Sequence, residues 1–234
     1  MPATAAVPSP LGQRERNKLD KLRRIKDAAR ELFVAKGFDD TTTREIAIRA
    51  GVGIGTIFVY AQNKRDLLFL IANEELEKVT ERAEASVQAS ASLMQNLLSV
   101  AGLHYAFFAQ QPALSRLVLR EMVFYETGAQ AGRFQRTRER LITLFGHGVE
   151  LALAQRAIAS PEPPHFVGWT IFAVFQVELR RWLSVDEPEL GAGLKALERA
   201  LRVVITGLAP REAALASVPS RRKAESASRK QKTK

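Results

Sequence analysis

The sequence predicts an all-α protein. Apolar residues recur at intervals of three and four along most of the chain, which is the spacing of one face of an α-helix. No run of alternating β-branched residues is bounded by turn signals, so we expect no sheet. A hydrophobic fraction of 46% in 234 residues is enough to bury a core. We expect about nine helices, arranged as an N-terminal three-helix domain with a helix-turn-helix and a C-terminal helical bundle.

Local signals define the first two helices. The first is amphipathic and should end near Lys36, because Gly37 can adopt the left-handed conformation that follows many helices. Thr42 and Glu45 have the spacing of a capping box, in which each side chain binds a free backbone N–H group. They predict a short second helix that reaches Ala50.

A glycine turn separates the second helix from the third. Gly51 and Gly53 interrupt the helical pattern, and residues 54–60 can form a third short helix. Asn63, with Asp66 three residues on, is a good N-cap. It predicts a long fourth helix that continues to about residue 87.

Five further helices are predicted in the body of the chain. Proline residues separate several of them, and Pro210 should end the ordered part. Gly146 and Gly148 each cost about 1 kcal/mol in a helix relative to alanine and weaken the prediction of one continuous helix there. The predicted ranges are 92–110, 113–126, 133–159, 164–185 and 187–208.

The net charge of +10 is concentrated at the two ends. Residues 14–66 have thirteen Lys and Arg against eight Asp and Glu, whereas residues 67–220 have fifteen against sixteen. Residues 221–234 have seven basic residues against Glu225 and no apolar residue other than alanine, so we expect a disordered tail from 211 to 234. The tail either adds non-specific affinity for phosphates or is simply a solvated end.

Several functional classes are disfavoured. The chain has no cysteine, and His104, His147 and His165 are too far apart in sequence for the H-E-x-x-H zinc pattern, so we expect neither a metal nor a cofactor. There is no Gly-x-Ser-x-Gly elbow, so we expect no catalytic residues and no enzyme. The most apolar stretch, 166–177, is twelve residues long and the start lacks the features of a signal peptide, which predicts a cytoplasmic protein without a membrane partner.

Two short helices around a glycine turn, preceded by a basic helix, are typical of a helix-turn-helix, whose second helix enters the major groove of DNA. At these positions the sequence resembles the tetracycline-repressor-like (TetR) family of transcriptional regulators. The resemblance covers roughly residues 19–70 and rests on matching segments at matching spacing: IKDAARELF (25–33), GF (37–38), TTREIA (42–47), AGV (50–52), GTIF (55–58), Tyr60, NK (63–64) and LL (67–68).

The resemblance implies six DNA-binding residues: Thr43, Arg44, Gly55, Thr56, Tyr60 and Lys64. The first two would meet phosphate at the start of the second helix, and the last would pair with phosphate at the start of the fourth. The other three would lie on the groove face of the third helix, where glycine allows close approach and a threonine methyl can contact thymine. Each residue also has an ordinary structural interpretation, but only the DNA-binding one accounts for the order and spacing of the motifs.

Three positions depart from the family pattern. Gly53 stands where a serine cap is frequent, Phe58 where a tyrosine is frequent, and Ala61 where a bulky aromatic residue is usual. Phe58 has no hydroxyl to donate to phosphate, and Ala61 fills less space beneath the third helix.

The body has the aromatic and polar mixture of an effector pocket, which is also the composition of a core. For each residue, both interpretations remain open: packing in the core and contact with a ligand. The candidate effector-binding residues are His104, Phe107, Phe108, Met122, Tyr125, Trp169, Phe172 and Gln176.

The last helix has an apolar seam with intervals of four and three from Leu190 to Leu208. The helix before it is apolar on more than one face, which favours a two-fold partner over packing within one chain. The candidate interface residues of the homodimer are Phe175, Leu179, Leu194, Leu197, Leu201 and Val204.

Together these patterns predict a DNA-binding domain over 14–66, an effector-binding and dimerisation domain over 67–210, and the tail. The predicted function is a ligand-responsive repressor that releases a palindromic double-stranded DNA operator when a small apolar or aromatic effector binds. The alternative is a non-regulatory or architectural DNA-binding protein that uses its basic ends without an effector.

Overall fold

A computed structural model describes residues 12–207, which form nine α-helices and no strand. The all-α prediction and the expected number of helices are therefore confirmed for this range. The predicted tail at 211–234 and the stop at Pro210 lie outside the described residues. The helices are α1 (Gln13–Ala35), α2 (Thr43–Arg49), α3 (Ile54–Tyr60), α4 (Lys64–Ser86), α5 (Leu93–Gln110), α6 (Pro112–Glu121), α7 (Ala131–Ala154), α8 (Pro164–Leu183) and α9 (Leu190–Thr206).

The chain divides into two compact units, Met1–Leu201 and Arg202–Lys234. We call residues 12–66 the head and residues 67–201 the body. Both belong to the first unit. The second unit is described only through the last residues of α9 and Gly207. The domain boundaries predicted from the sequence remain predictions.

The helix ends of the head follow the local signals. The Thr42 hydroxyl accepts a hydrogen bond from the Glu45 backbone N–H, and the Glu45 carboxylate accepts one from the Thr42 backbone N–H, which completes the capping box. Gly37 and Gly51 have φ angles of 93° and 62°, in the region that favours glycine. The Asn63 side chain caps α4 by accepting from the Asp66 N–H at 3.0 Å.

The long helix α4 connects the head to the body. Its residues from Asp66 to Asn73 are all buried, so this part of the helix is enclosed rather than amphipathic. It packs on α1 and α3 of the head and on α5, α6 and α7 of the body. A displacement of α4 therefore changes both regions.

The body differs from the prediction after α6. The sequence pattern predicted one helix over 113–126, but α6 ends at Glu121 and a non-helical loop leads to α7. The reason is Tyr125, whose ring stacks on Phe69 with centroids 4.0 Å apart and whose hydroxyl donates to Asp66. The chain leaves the helix to bury this side chain on α4.

Helix α7 is continuous through Gly146 and Gly148, which the sequence analysis had treated as weak points. The two glycines have packing roles. A β-carbon on Gly168 of α8 would lie 2.5 Å from the backbone nitrogen of Gly146, so only glycine allows α7 and α8 to approach this closely. Gly148 faces Leu93 and Leu97 of α5.

Candidate nucleic-acid interface and effector cavity

The third helix is fixed against the rest of the head on one side. Ile57 is fully buried and anchors the inner face of α3. Arg24 of α1 donates to the carbonyl oxygen of Ala50 at 2.9 Å, at the C-terminal end of α2 where helix carbonyls lack partners. The Val52 N–H donates to the Ala47 carbonyl at 3.0 Å. These bonds fix the end of α2 and the start of the turn that leads to α3.

The outer face of α3 presents the three residues predicted for the groove. Gly55 is exposed, with no heavy atom near the position of a β-carbon, while Thr56 and Tyr60 are half-buried. Beside them Phe58 is 54% exposed and Val59 is 73% exposed. Exposed apolar side chains of this kind suit contact with thymine methyl groups. Phe58 was expected only as a departure from the family pattern, and Val59 was not among the predicted DNA-binding residues.

A cleft between α1 and α3 extends this face. Its basic residues recur on α1 at intervals of four and three, which is one helix face, and sequence reasoning missed them although that spacing was the available signal. The side chains that line the cleft are Arg14, Glu15, Asn17, Lys18, Lys21, Thr56, Val59 and Tyr60.

The predicted phosphate contacts flank the groove face. Thr43 is half-buried at the start of α2, and Arg44 is exposed and has no ion-pair partner among residues 12–207. The Lys64 ammonium donates to the carbonyl oxygens of Phe38 at 2.8 Å and Asp39 at 2.7 Å. An ammonium group has three donors, so Lys64 ties α4 to the loop before α2 and keeps one N–H for phosphate.

A buried carboxylate joins the end of α3 to the body. Asp66 is fully buried and accepts hydrogen bonds from the backbone N–H of Gln62 at 2.9 Å and of Ala129 at 3.0 Å, and from the Tyr125 hydroxyl. The Gln130 side chain of the same loop donates to the carbonyl oxygen of Tyr60 at 3.1 Å. The loop between α6 and α7 therefore holds Tyr60, the last residue of α3.

Ion pairs from the end of α6 make a second connection to the head. Arg120 binds the Asp39 carboxylate through two bonds of 3.0 and 3.1 Å, and Arg65 lies 2.9 Å from Glu121. Glu121 also accepts from Arg120 at 2.9 Å. The head is thus attached to α6 as well as to α4.

A narrow, mostly apolar cavity of about 40 Å³ lies between α4, α5, α6, α7 and α8. A ligand larger than a few atoms would have to widen it by moving side chains of its wall. Five predicted effector residues contribute to it: His104, Phe108, Met122, Phe172 and Gln176. The other lining residues, which the sequence analysis did not select, are Leu76, Thr80, Val118, Phe134, Thr137, Arg138, Leu141 and Phe175.

The cavity continues outward into a second, more open space of about 260 Å³. Met122, Phe134, Arg138, Phe172 and Gln176 line both spaces. The outer one adds the half-exposed Trp169 and the exposed Val177 and Arg180. Neither Arg138 nor Arg180 has an acidic partner within residues 12–207.

Two predicted effector residues lie elsewhere. The Tyr125 ring is buried on Phe69, and burial together with the Asp66 carboxylate raises the pKa of its hydroxyl. Phe107 lines a separate groove with Arg30 and Glu75, near the head. Both positions depend on helices distant in sequence, which composition does not reveal.

His104 is the most buried titratable group of the inner cavity. The residue is 2% exposed, and burial lowers the pKa of its imidazole to about 4. The ring is therefore neutral at physiological pH. Its Nδ1 lies 2.9 Å from the carbonyl oxygen of Val100, and its edge faces the ring of Phe175.

Four of the six predicted interface residues are already buried within a single chain: Phe175, Leu179, Leu197 and Leu201. Leu194 and Val204 are half-buried. Helix α8 instead exposes Phe166, Trp169 and Val177 along one side, with exposures of 52%, 49% and 59%. Apolar surface open to a partner thus lies on the outer face of α8 and at Val203 of α9, which is 53% exposed. The interface residues remain a prediction.

Among residues 12–207, no helix is long and apolar enough to cross a bilayer. The same range contains no group of three His, Cys, Asp or Glu side chains that could hold a metal ion.

Comparisons with known proteins agree with this geometry. The family described as "Bacterial regulatory proteins, tetR family" matches residues 25–71, which include α2, α3 and the start of α4. The fatty acid metabolism regulator protein of Bacillus subtilis (strain 168) is 32% identical over 94 residues, which are 40% of this chain and 48% of that protein. The chain thus matches about half the length of this relative.

Two further similarities extend over most of the chain. The HTH-type transcriptional repressor KstR of Mycobacterium tuberculosis (strain ATCC 25618 / H37Rv) is 26% identical over 196 residues, 82% of each protein. The structure of Thermus thermophilus FadR, a TetR-family transcriptional repressor in complex with lauroyl-CoA, is similar with a TM-score of 0.63. The two sequences are 23% identical, and the aligned region covers 85% of this chain and 99% of the Thermus thermophilus chain, which establishes a shared fold.

Proposed function

Because residues 25–71 match the tetR family of bacterial regulatory proteins, we propose that the chain is a homodimeric repressor of this family that releases a palindromic operator when an effector enters and widens the cavity. The observation that carries this proposal is the position of α6. Its end contributes Val118 and the adjoining Met122 to the cavity wall, and Arg120 and Glu121 to the ion pairs with the head. An effector that moves α6 changes the free energy of the head positions.

The effector proposed is an amphiphile with a long apolar part, such as an acyl coenzyme A thioester. The inner cavity is lined mainly by apolar side chains, whereas Arg180 lines only the outer space and Arg138 lies where the two spaces meet. Guanidinium groups bind phosphate well, so the anionic part of such a molecule would lie outside and its chain inside. The lauroyl-CoA complex of the Thermus thermophilus repressor supports this chemistry.

The dimer is proposed to form through the exposed side of α8. Phe166, Trp169, Ala173 and Val177 recur at intervals of three and four, and a two-fold partner would cover them. Because the last three also line the outer space, the partner would form the outer wall of that space around the anionic end of the effector. Val177→Glu should convert the dimer to a folded monomer that binds the operator weakly, measured by sedimentation and circular dichroism. A variant that stays dimeric would exclude this face.

The function is tested by selecting DNA from a random pool and adding lauroyl-CoA to the selected complex. We expect a palindromic site bound far more tightly than random DNA, and release of that site by the ligand. Uniform, salt-sensitive binding to all sequences would instead favour the architectural alternative.

A further inference from the structure

The inner cavity contains a histidine nitrogen with an unused lone pair. The Nδ1 atom of His104 lies 2.9 Å from the carbonyl oxygen of Val100, and a carbonyl oxygen only accepts hydrogen bonds. Nδ1 therefore carries the ring proton. Because the ring is neutral, Nε2 carries none and can only accept.

No side chain of the cavity wall supplies a hydrogen to this atom. The nearest candidate is the Thr80 hydroxyl, whose oxygen is 3.5 Å from Nε2. That hydroxyl has one hydrogen, and it donates to the Leu76 carbonyl at 2.8 Å. The contact between Thr80 and His104 is at the outer limit of a hydrogen bond and lacks a free hydrogen.

A second acceptor lines the same cavity. The Oε1 atom of Gln176 is buried and has no hydrogen-bond partner among residues 12–207. Thr137, the other hydroxyl of the wall, donates to the carbonyl oxygen of Arg133 at 3.2 Å. Apart from Arg138 at the outer end, the buried polar groups of this cavity that lack a partner are therefore acceptors, and buried acceptors without donors are unfavourable.

We propose that the effector carries a hydroxyl group on its buried apolar part and that this hydroxyl donates to Nε2 of His104. The inference rests on the proposed function and adds the chemistry of the effector's inner end. A plain saturated chain would leave both acceptors unpaired, whereas a hydroxylated chain satisfies His104. A second donor on the ligand would satisfy Gln176.

The position of His104 places this hydroxyl far from the anionic end of the ligand. Thr80 and His104 are almost fully buried and line only the inner cavity, whereas the exposed Arg180 lines only the outer space. A chain with its anion near Arg180 therefore reaches His104 with its distal end. The ligand class is an amphiphile with an anionic head and a hydroxyl at or near the other end.

The test uses ω-hydroxy and ω-methoxy forms of decanoate, dodecanoate and tetradecanoate, with titration calorimetry on the full chain. A methoxy group has the oxygen but cannot donate. At the length that reaches His104, we expect the hydroxy acid to bind about five-fold more tightly than its methoxy partner. In His104→Phe this preference should disappear, and His104→Gln, which retains an acceptor, should restore part of it.

The outcomes separate the two proposals. Binding and operator release without a hydroxyl preference at any length, or a preference that persists in His104→Phe, would overturn the hydroxyl inference alone. If His104→Phe does not fold, the parent comparison between hydroxy and methoxy acids decides. Failure of every hydroxy acid to bind, while lauroyl-CoA still releases the operator, would likewise overturn the hydroxyl inference alone. Failure of lauroyl-CoA as well would overturn both.

Discussion

The head and the body place their functional side chains by different means. In the head, the capping box joins Thr42 to Glu45 and the cap of α4 joins Asn63 to Asp66, each over three residues. In the body, the cavity combines side chains from five helices between Leu76 and Gln176. The position of a DNA-contacting residue therefore depends on short segments of sequence, whereas the position of an effector-contacting residue depends on how the whole body packs.

Substitutions of glycine should show the largest difference in unfolding free energy between the two regions. In Gly168→Ala the new β-carbon would meet the backbone of Gly146 at 2.5 Å, and backbone cannot move aside without separating α7 from α8. We expect a loss of about 3 kcal/mol or more in the free energy of unfolding, measured with urea. The cavity, which lies between the same helices, should lose its affinity for effector.

Gly55→Ala in the head is the matched control. No heavy atom lies within 4 Å of the position of its β-carbon. Alanine should leave stability unchanged or raise it by up to about 1 kcal/mol, because it favours the helix. Operator affinity should nevertheless fall if backbone approaches DNA at this position. Equal losses of unfolding free energy in both variants would show that the head and the body are equally sensitive to a local substitution.

The two regions should also differ in their response to pH, because all three histidines lie in the body. Burial lowers the pKa of His104 from 6.5 to about 4. Between these values the unfolded chain binds a proton that the folded chain does not, so stability falls as the pH decreases. The slope should be about 1.4 kcal/mol per pH unit, or about 2 kcal/mol between pH 6.5 and 5.

Urea unfolding of the parent and of His104→Gln over pH 5 to 7 measures this effect. The variant should lose most of the slope, because the substitution removes the buried imidazole. The range avoids the titration of Glu45 and Glu74, whose pKa values are lowered to about 2 by their lysine and capping partners. An unchanged slope in His104→Gln would assign the pH dependence to other groups.

The contact between Asp66 and Tyr125 tests whether the two regions communicate through the loop after α6. Tyr125→Phe removes one of three donors to a buried carboxylate, and we expect a loss of about 1.5 kcal/mol in unfolding free energy. The effector should still bind but release less operator. Tyr105→Phe is the control, because the Tyr105 hydroxyl is buried and has no hydrogen-bond partner within the described range 12–207, so its loss should cost little.

How much of this arrangement the sequence predicts follows from the range of the interactions. The ends of the first five helices were predicted closely, because caps and glycines act within a few residues. The end of α6 was predicted wrongly, since it depends on Tyr125 reaching Asp66, 59 residues away. Apolar patterning likewise identified Leu197 and Leu201 as buried residues but did not distinguish their own chain from a partner.

The smallest expected effects come from removing single contacts to DNA. They test which residues of the head bind bases and which bind phosphate. Thr56 is half-buried on the outer face of α3, so Thr56→Ala should leave stability unchanged. It should weaken binding to the selected operator by about 1 kcal/mol, with little effect on binding to random DNA.

Arg44 is an exposed cation at the start of α2. Arg44→Ala should weaken all sequences alike and reduce the salt slope by about one unit, because one phosphate contact is lost. Titrations of both DNAs at several salt concentrations separate the two effects. If Thr56→Ala weakened random DNA as much as the operator, α3 would be a phosphate-binding element, and base recognition would have to come from another surface, such as the α1 cleft.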